Sequence, residues 1–170
     1  IRASLLAALL AFAPVAMAQE TPADIPALRK AAMADPAIKA ALSDKSRAME
    51  SRLDDDGRMI EIILKAINAK PGEKAIDIGS GSGYLALLMS TMVGPKGHVD
   101  IHNTPGWINQ FPTMEPERQK LRIKQPNIGW VTTRWTDITG APNSYDIITL
   151  GQVYHDVPLE GESTDAMNER

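Results

Sequence analysis

The chain has no cysteine. That absence excludes disulfides, cysteine-ligated zinc, iron–sulfur clusters and thiol nucleophiles together, and with them a lipoprotein anchor, which needs a cysteine at its cleavage point. Positive charge is not in excess either. The net charge is −3 over 170 residues and no basic stripe is visible, so nucleic acid is not an expected partner. Arg118, Lys120, Arg122 and Lys124 do cluster, but Glu115 and Glu117 lie beside them, and a solvated helix face accounts for the group. There is no internal repeat and no long low-complexity tract.

What the chain does have is 44% apolar residues, enough for the core of one ordinary domain. Its first segment reads as something other than structure. IRASLLAALLAFAPVAMAQE places Arg2 before an apolar run from about Leu5 to Val15 and ends in Ala16-Met17-Ala18. That is the layout of a secretory leader with a small-residue cleavage site, and the run is short for a membrane span. The expectation is a signal peptide over 1–18 and a mature protein that is periplasmic or secreted, without stable membrane insertion. The alternative is an uncleaved segment anchoring the domain at the inner membrane.

After the leader, residues 19–50 read as a linker and N-terminal helical segment: a linker with short helical turns over 19–35, then a helix from Pro36 to about Met49. In SRLDDDGRMIEIILKAINAKPGEK, the acids Asp54, Asp55 and Asp56 precede Met59, Ile60, Ile63, Leu64 and Ile67 at helical spacing. The acids favour a helix N-terminus through the dipole, and Lys70-Pro71-Gly72 stops it. Strands then alternate with helices: a strand over Lys74–Ile78, a helix over Tyr84–Val93, strands near His98–His102, Trp130–Arg134 and Tyr145–Val153, and a short helical pattern over Pro116–Lys124. This alternation predicts a Rossmann-like α/β sandwich, a parallel sheet with helices on both faces. A fourth strand left as an open apolar edge is a poor solution for such a sheet. The expectation is therefore that residues 51–170 form a partial domain, cut after the fourth strand.

The chemistry centres on KAIDIGSGSGYLALLMSTMVG. Gly79-Ser80-Gly81-Ser82-Gly83 joins the first strand to the following helix. Glycine permits a sharp turn and a close ligand approach, and the helix beyond offers unpaired N–H groups. A nucleoside triphosphate site would follow such glycines with Lys, and none is there. A dinucleotide site would read G-x-G-x-x-G, whereas here the third glycine comes one residue early and Tyr84 takes its place. Asp77 would repel a pyrophosphate but suits a ligand with cationic groups. Spacing and charge favour S-adenosylmethionine, whose sulfonium and ammonium are both positive, over NAD. The remaining alternatives are an NAD-dependent oxidoreductase and a binding protein without turnover.

DIGSGSG, Asp77 to Gly83, resembles the first motif, [DE]-x-G-x-G-x-G, of class I S-adenosylmethionine-dependent methyltransferases. GPKGHVDIHNTPGW, VYHDV and DAMN are similar to segments of a narrower group, predicted methyltransferases of proteobacteria that often carry signal peptides and a YHD motif. The resemblance runs from about Asp54 to Arg170. It implies methyl transfer to an O, N or C nucleophile of an acceptor, expected to be a small molecule. It also implies that Asp77, Gly79, Ser80, Gly81, Gly83 and Tyr84 hold the methionine end of the cofactor, that Asn103 meets the ribose, and that Asp137 meets the adenine amino group. The broad class usually has an acid where this chain has Asn103.

Each of these positions has a plainer reading. Asn103-Thr104-Pro105-Gly106 is a good turn in its own right, and Asp137 would serve as a cap or turn residue. Tyr154, His155 and Asp156 follow the fourth strand, at the end of the sheet where open α/β folds bind ligands. His155 is a candidate general base with Asp156 orienting it; cofactor or substrate contact and a purely structural role are the alternatives. His98 and His102 are four apart, but on a strand that spacing separates them by about 13 Å, so no metal is expected. Trp107, Phe111, Trp130 and Trp135 suit core packing more than a pocket wall.

Overall fold

The computed structural model describes residues 23–169 except 46, 48, 114–119, 121–123, 139 and 142. The expected leader and most of the expected helix over 116–124 lie outside the described residues. Four parallel strands form one sheet: β1 (Lys74–Ile78), β2 (His98–Asn103), β3 (Ile128–Thr132) and β4 (Ile147–Leu150), in the spatial order β3-β2-β1-β4. β1 pairs with β2 from Lys74↔His98 to Ile78↔His102, and with β4 from Ala75↔Ile147 to Ile78↔Leu150. The chain leaves β1 toward β2 and β3 on one side and returns to β4 on the other. This reversal opens a crevice at the C-terminal ends of β1 and its neighbours.

The region read as a linker contains a helix. Asp24 accepts a hydrogen bond from the Ala27 amide at 3.0 Å and caps α1 (Ile25–Met33), whose Pro26 lies in the first turn. Asp35 caps α2 (Pro36–Ser43) in the same way through Ala37. α2 stops short of the expected Met49, and a separate α3 (Met49–Leu53) follows. The acidic segment forms α4 (Asp55–Arg58), and α5 (Ile60–Ile67) begins only after Met59 takes a left-handed backbone at φ 50°. The one long helix expected there is therefore broken at Met59. α6 (Tyr84–Val93) matches its expected limits.

α2, α5 and α6 cover one face of the sheet. Ile38, Leu64, Leu88, Ala75, Val99, Ile101 and Ile128 form the core between them. Full burial of each Leu, Ile or Val stabilises by about 2 kcal/mol relative to exposure. α6 is apolar nearly all round because it is enclosed on nearly all sides, by the sheet beneath and by α2 beside it. The other face is covered by smaller pieces. These are a 3-10 turn at Trp135–Asp137, α7 (Pro105–Gln110), α8 (Asp156–Leu159) and α9 (Thr164–Asn168), around Ile76, Ile78, Trp135, Val153, Val157 and Met167. Trp135 is a core residue and Trp130 packs, partly buried, against the core of the first face. On this second face Ile148 of β4 remains 65% exposed, beside a groove of about 490 Å3.

β3 and β4 are shorter or shifted relative to expectation. β3 begins at Ile128, which pairs with Val99, and stops before Arg134, which instead leads into the 3-10 turn. β4 omits Tyr145, whose hydroxyl donates to Asp100 at 2.9 Å, and ends where Gln152 turns to φ 65°.

Candidate functional site

The glycine loop leaves β1 at the crevice. Gly79, Gly81 and Gly83 all have positive φ, at 65°, 60° and 92°, a conformation costly for residues with a Cβ. At Gly79 the need is also steric: an added Cβ would lie 2.6 Å from Cγ2 of Val153, in the segment after β4. The missing side chain lets the exits of β1 and β4 close against each other.

Asp77 governs this loop from beneath. Only 3% of it is exposed. Ser80 Oγ donates to its carboxylate at 2.5 Å, Thr149 Oγ1 donates at 2.7 Å, and the Ala86 amide also bonds to it. Burial pushes the Asp77 carboxyl above its ordinary pKa, against the pull of those donors. The expected aspartate thus borders the crevice, but its oxygens engage the loop, β4 and the start of α6. It shapes the cradle as well as lending it negative character.

Asn103 acts from the next strand. It is wholly buried. Its Oδ1 accepts from the Gly81 amide at 2.9 Å, and its Nδ2 donates to the Gly81 carbonyl at 2.8 Å. The Ser80 amide donates to the His102 carbonyl at 3.0 Å. β2 therefore grips the loop by main chain and side chain together. In this conformation the residue expected at a ribose is clamped on the glycine loop, because an amide offers one acceptor and one donor in register with a peptide unit, and a carboxylate does not.

A cavity of about 160 Å3 opens beside the loop, lined by Asp77, Gly79, Ser80, Tyr84, Ile60, Ile63, Leu85, Gly151, Gln152 and Arg58. Asp77, Gly79, Ser80 and Tyr84 are thus brought together as expected. Gly81, Gly83 and Asn103 lie in or against the same loop but do not line this cavity. Asp137 is exposed at the end of its 3-10 turn, outside it. Tyr154, His155 and Asp156 lie beyond β4 and also outside it. His155 has 73% of its side chain exposed with Nε2 3.2 Å from Asp156 Oδ1, and the Tyr154 hydroxyl accepts from Asn168 Nδ2 at 2.7 Å. His98 bonds Asp100 at 3.0 Å, while His102 is buried against Trp135, and no metal-sized cluster of ligands occurs among the described residues.

Several residues of the site escaped sequence reading. Thr149 is one; a threonine inside the apolar run IITL was its only signal. Asp55 is another. Arg47 donates to it bidentately, and the Tyr84 hydroxyl donates to it at 2.7 Å. Burial opposes the Asp55 charge, but these bonds together hold its carboxyl below the ordinary range. Burial, then the bond to Asp55, pushes the Tyr84 hydroxyl well above its usual value, so it stays protonated. The acidic run read only as a helix-dipole feature thus fixes Tyr84 at the mouth. Glu160 accepts from Thr104 Oγ1 at 2.9 Å, and Glu162 accepts from the Thr136 amide and hydroxyl at 2.9 and 2.8 Å. These glutamates tie the segment after β4 to the exits of β2 and β3, a link that sequence spacing does not reveal.

A glycine cradle over a buried acid, at the reversal point of a parallel sheet, has a counterpart among known families. The model of the protein-L-isoaspartate(D-aspartate) O-methyltransferase family matches residues 40–160, well over half of the chain. The chain belongs to this family. Other similarities of this isoaspartate methyltransferase-family chain reach across the wider methyltransferases. It is 34% identical over 91 residues to a 2-phytyl-1,4-naphtoquinone methyltransferase of Nostoc sp., a match covering 54% of this chain and 38% of that protein. It is 42% identical over 66 residues to a protein-L-isoaspartate O-methyltransferase of Ignicoccus hospitalis, covering 39% and 28% respectively. The chain therefore spans well under half the length of these curated relatives. A solved structure, a SAM-dependent methyltransferase from Aquifex aeolicus, superposes with a TM-score of 0.51 at 23% identity, covering 86% of this chain and 64% of that one. That likeness supports the Rossmann-like fold.

Proposed function

We propose that this protein is an S-adenosylmethionine-dependent methyltransferase that moves a methyl group to an O, N or C nucleophile of a small-molecule acceptor. The observation that carries the reading is the cavity at the β1 exit, where three positive-φ glycines wrap a buried carboxyl and no lysine follows to meet a phosphate. Family membership supports it. At about 160 Å3 the cavity is smaller than the roughly 300–1,000 Å3 of complete small-molecule sites. It suits one end of an extended cofactor, the amino-acid end, with the nucleoside across the exit of β2.

The residues present fit that group. Gly79 and Ser80 offer main chain to the methionyl portion, Asp77 lends negative character to a cationic ligand, and Ile60, Ile63 and Leu85 exclude water. Asp137 is the candidate for the adenine side. S-adenosylmethionine supplies, when bound, a methyl on a sulfonium that becomes a neutral thioether on transfer. The chain's own work is alignment and desolvation of the acceptor and removal of its proton. His155 is the candidate base: Asp156 faces Nε2, which leaves Nδ1 to accept a proton from an acceptor O–H or N–H. Asp156 positions that imidazole, and Tyr154, bonded to Asn168, is a further candidate at the same exit.

Calorimetry with S-adenosylmethionine and with NADH tests the cofactor; binding of NADH and not of S-adenosylmethionine rejects it. Transfer of label from methyl-labelled cofactor into a cell extract tests turnover, since a pure binder yields no product. His155→Ala is expected to slow transfer by about 100-fold without weakening cofactor binding. We also propose, from residues 1–18, that the protein is exported to the periplasm or beyond. Cell fractionation that finds it only in the cytosol would reject this.

A further inference from the structure

Two ionisable groups of opposite kind line the cavity beside the glycine loop. Asp77 is one. Arg58, the last residue of α4, is the other. The Arg58 guanidinium carbon lies 4.8 Å from the centroid of the Tyr84 ring, a cation–π stack. Tyr84 cannot drift, because its hydroxyl is bonded to Asp55 and Asp55 is gripped by the buried Arg47. The two arginines at Tyr84 therefore have different fates. Arg47 is committed to Asp55 and does not line the cavity. Arg58 lines it, with 44% of its side chain exposed, and its carboxylate neighbour Asp54 is 3.7 Å away, beyond good hydrogen-bond length. A half-exposed pair of that kind, four residues apart on a short helix, does little for stability. It does not explain why the guanidinium sits over a fixed ring beside a cavity.

A free α-amino acid group carries an ammonium and a carboxylate about one residue-width apart. A small cavity lined by both an acid and a guanidinium complements such a zwitterion. We propose that Arg58 binds the α-carboxylate at the amino-acid end of the cofactor and makes the site specific for a carboxylated ligand. The inference rests on the S-adenosylmethionine reading of the same cavity. Arg58 presents a planar fork of N–H donors to the carboxylate, Tyr84 supports that fork through the cation–π contact, and Met59, left-handed at φ 50°, turns the chain so that Ile60 and Ile63 close the wall beside it.

The test uses calorimetry with two probes: S-adenosylhomocysteine, and its analogue lacking the α-carboxylate. Unaltered protein is expected to prefer S-adenosylhomocysteine by about 10- to 100-fold. Arg58→Met is expected to erase that preference while leaving affinity for the descarboxy analogue unchanged. Asp54→Asn, which removes the competing carboxylate, is expected to tighten S-adenosylhomocysteine a few-fold and the analogue not at all. Equal affinity of the unaltered protein for both probes overturns the role of Arg58 and leaves the cofactor reading standing. Equal weakening of both probes by Arg58→Met, with no selective gain in Asp54→Asn, also overturns it. Failure of the unaltered protein to bind either probe overturns the cofactor reading and this proposal together.

Discussion

At the end of β1 the chain buries a carboxyl; one strand over, at the end of β4, it leaves an imidazole in solvent. Asp77 is 3% exposed and receives bonds from Ser80, Thr149 and Ala86, and Asn103 clamps the loop above it. His155 is mostly exposed and lies near Asp156, the next residue. The two exits touch where Val153 packs at the bare face of Gly79. The first is over-determined, as a cradle for a constant ligand must be if it is to hold shape without that ligand. The second is tied down in its backbone by Val153, Val157, Glu160 and Glu162, and only the His155 ring is left outside that packing.

The sharpest way to break the comparison is Asp77→Lys. An ammonium there would face the Ser80 and Thr149 donors without an acceptor between them. We expect a loss of more than about 3 kcal/mol in urea denaturation, and no detectable cofactor binding; an unchanged midpoint would show that the acid is not structural. Gly79→Ala comes next, at about 2–4 kcal/mol, from a left-handed backbone and a clash with Val153. Adding Val153→Ala should recover the steric share only, and additivity of the two changes would mean that the exits are not coupled. Asn103→Ala should cost about 2 kcal/mol, because the Gly81 amide and carbonyl both lose their partner.

A smaller effect concerns pH. The folded pKa of Asp77 is raised above 3.8, so between the unfolded and folded values the native state holds more protons than the unfolded chain. Its contribution to stability is therefore most favourable below 3.8 and declines as pH rises through the folded value. The pH dependence of the denaturation midpoint above pH 4 should flatten in Asp77→Asn; an identical slope would assign it to other groups. The smallest expected change is His155→Ala, within about 0.5 kcal/mol of the parent in stability. A larger loss would mean that the His155 ring is as constrained as the β1 exit.

Much of the fold was legible locally. β1 and α6 were readable to the residue, because an apolar strand, a glycine turn and an apolar helix carry strong periodic and conformational signals. α1 was missed because its composition of Ala, Pro and charge lacks an apolar stripe; the Asp24 cap and the Pro26 start were the signals available. The limits of β3 and β4 were misjudged because pairing decides where a strand ends: Ile128 belongs to β3 through Val99, and Tyr145 leaves β4 for Asp100. In the site, the glycines and Asp77 were visible as a pattern. Thr149, Asp55 and Arg58 were not, since each acquires its role from a partner in another element: Thr149 from Asp77, Asp55 and Arg58 from Tyr84.

The sequence by itself determined that a strand runs into a glycine turn and then a helix, that an acid precedes the turn, and that no thiol chemistry is available. Those are properties of backbone sterics, side-chain type and short spacing, and they need no distant partner. Only the tertiary structure decided what the polar groups do. It turned Asn103 onto Gly81, sank Asp77 beneath the loop, locked Tyr84 with Asp55 and left Arg58 lining the cavity. Hydrogen bonds and burial are set by where other strands and helices bring their atoms, and that placement is not written in any one stretch of the chain.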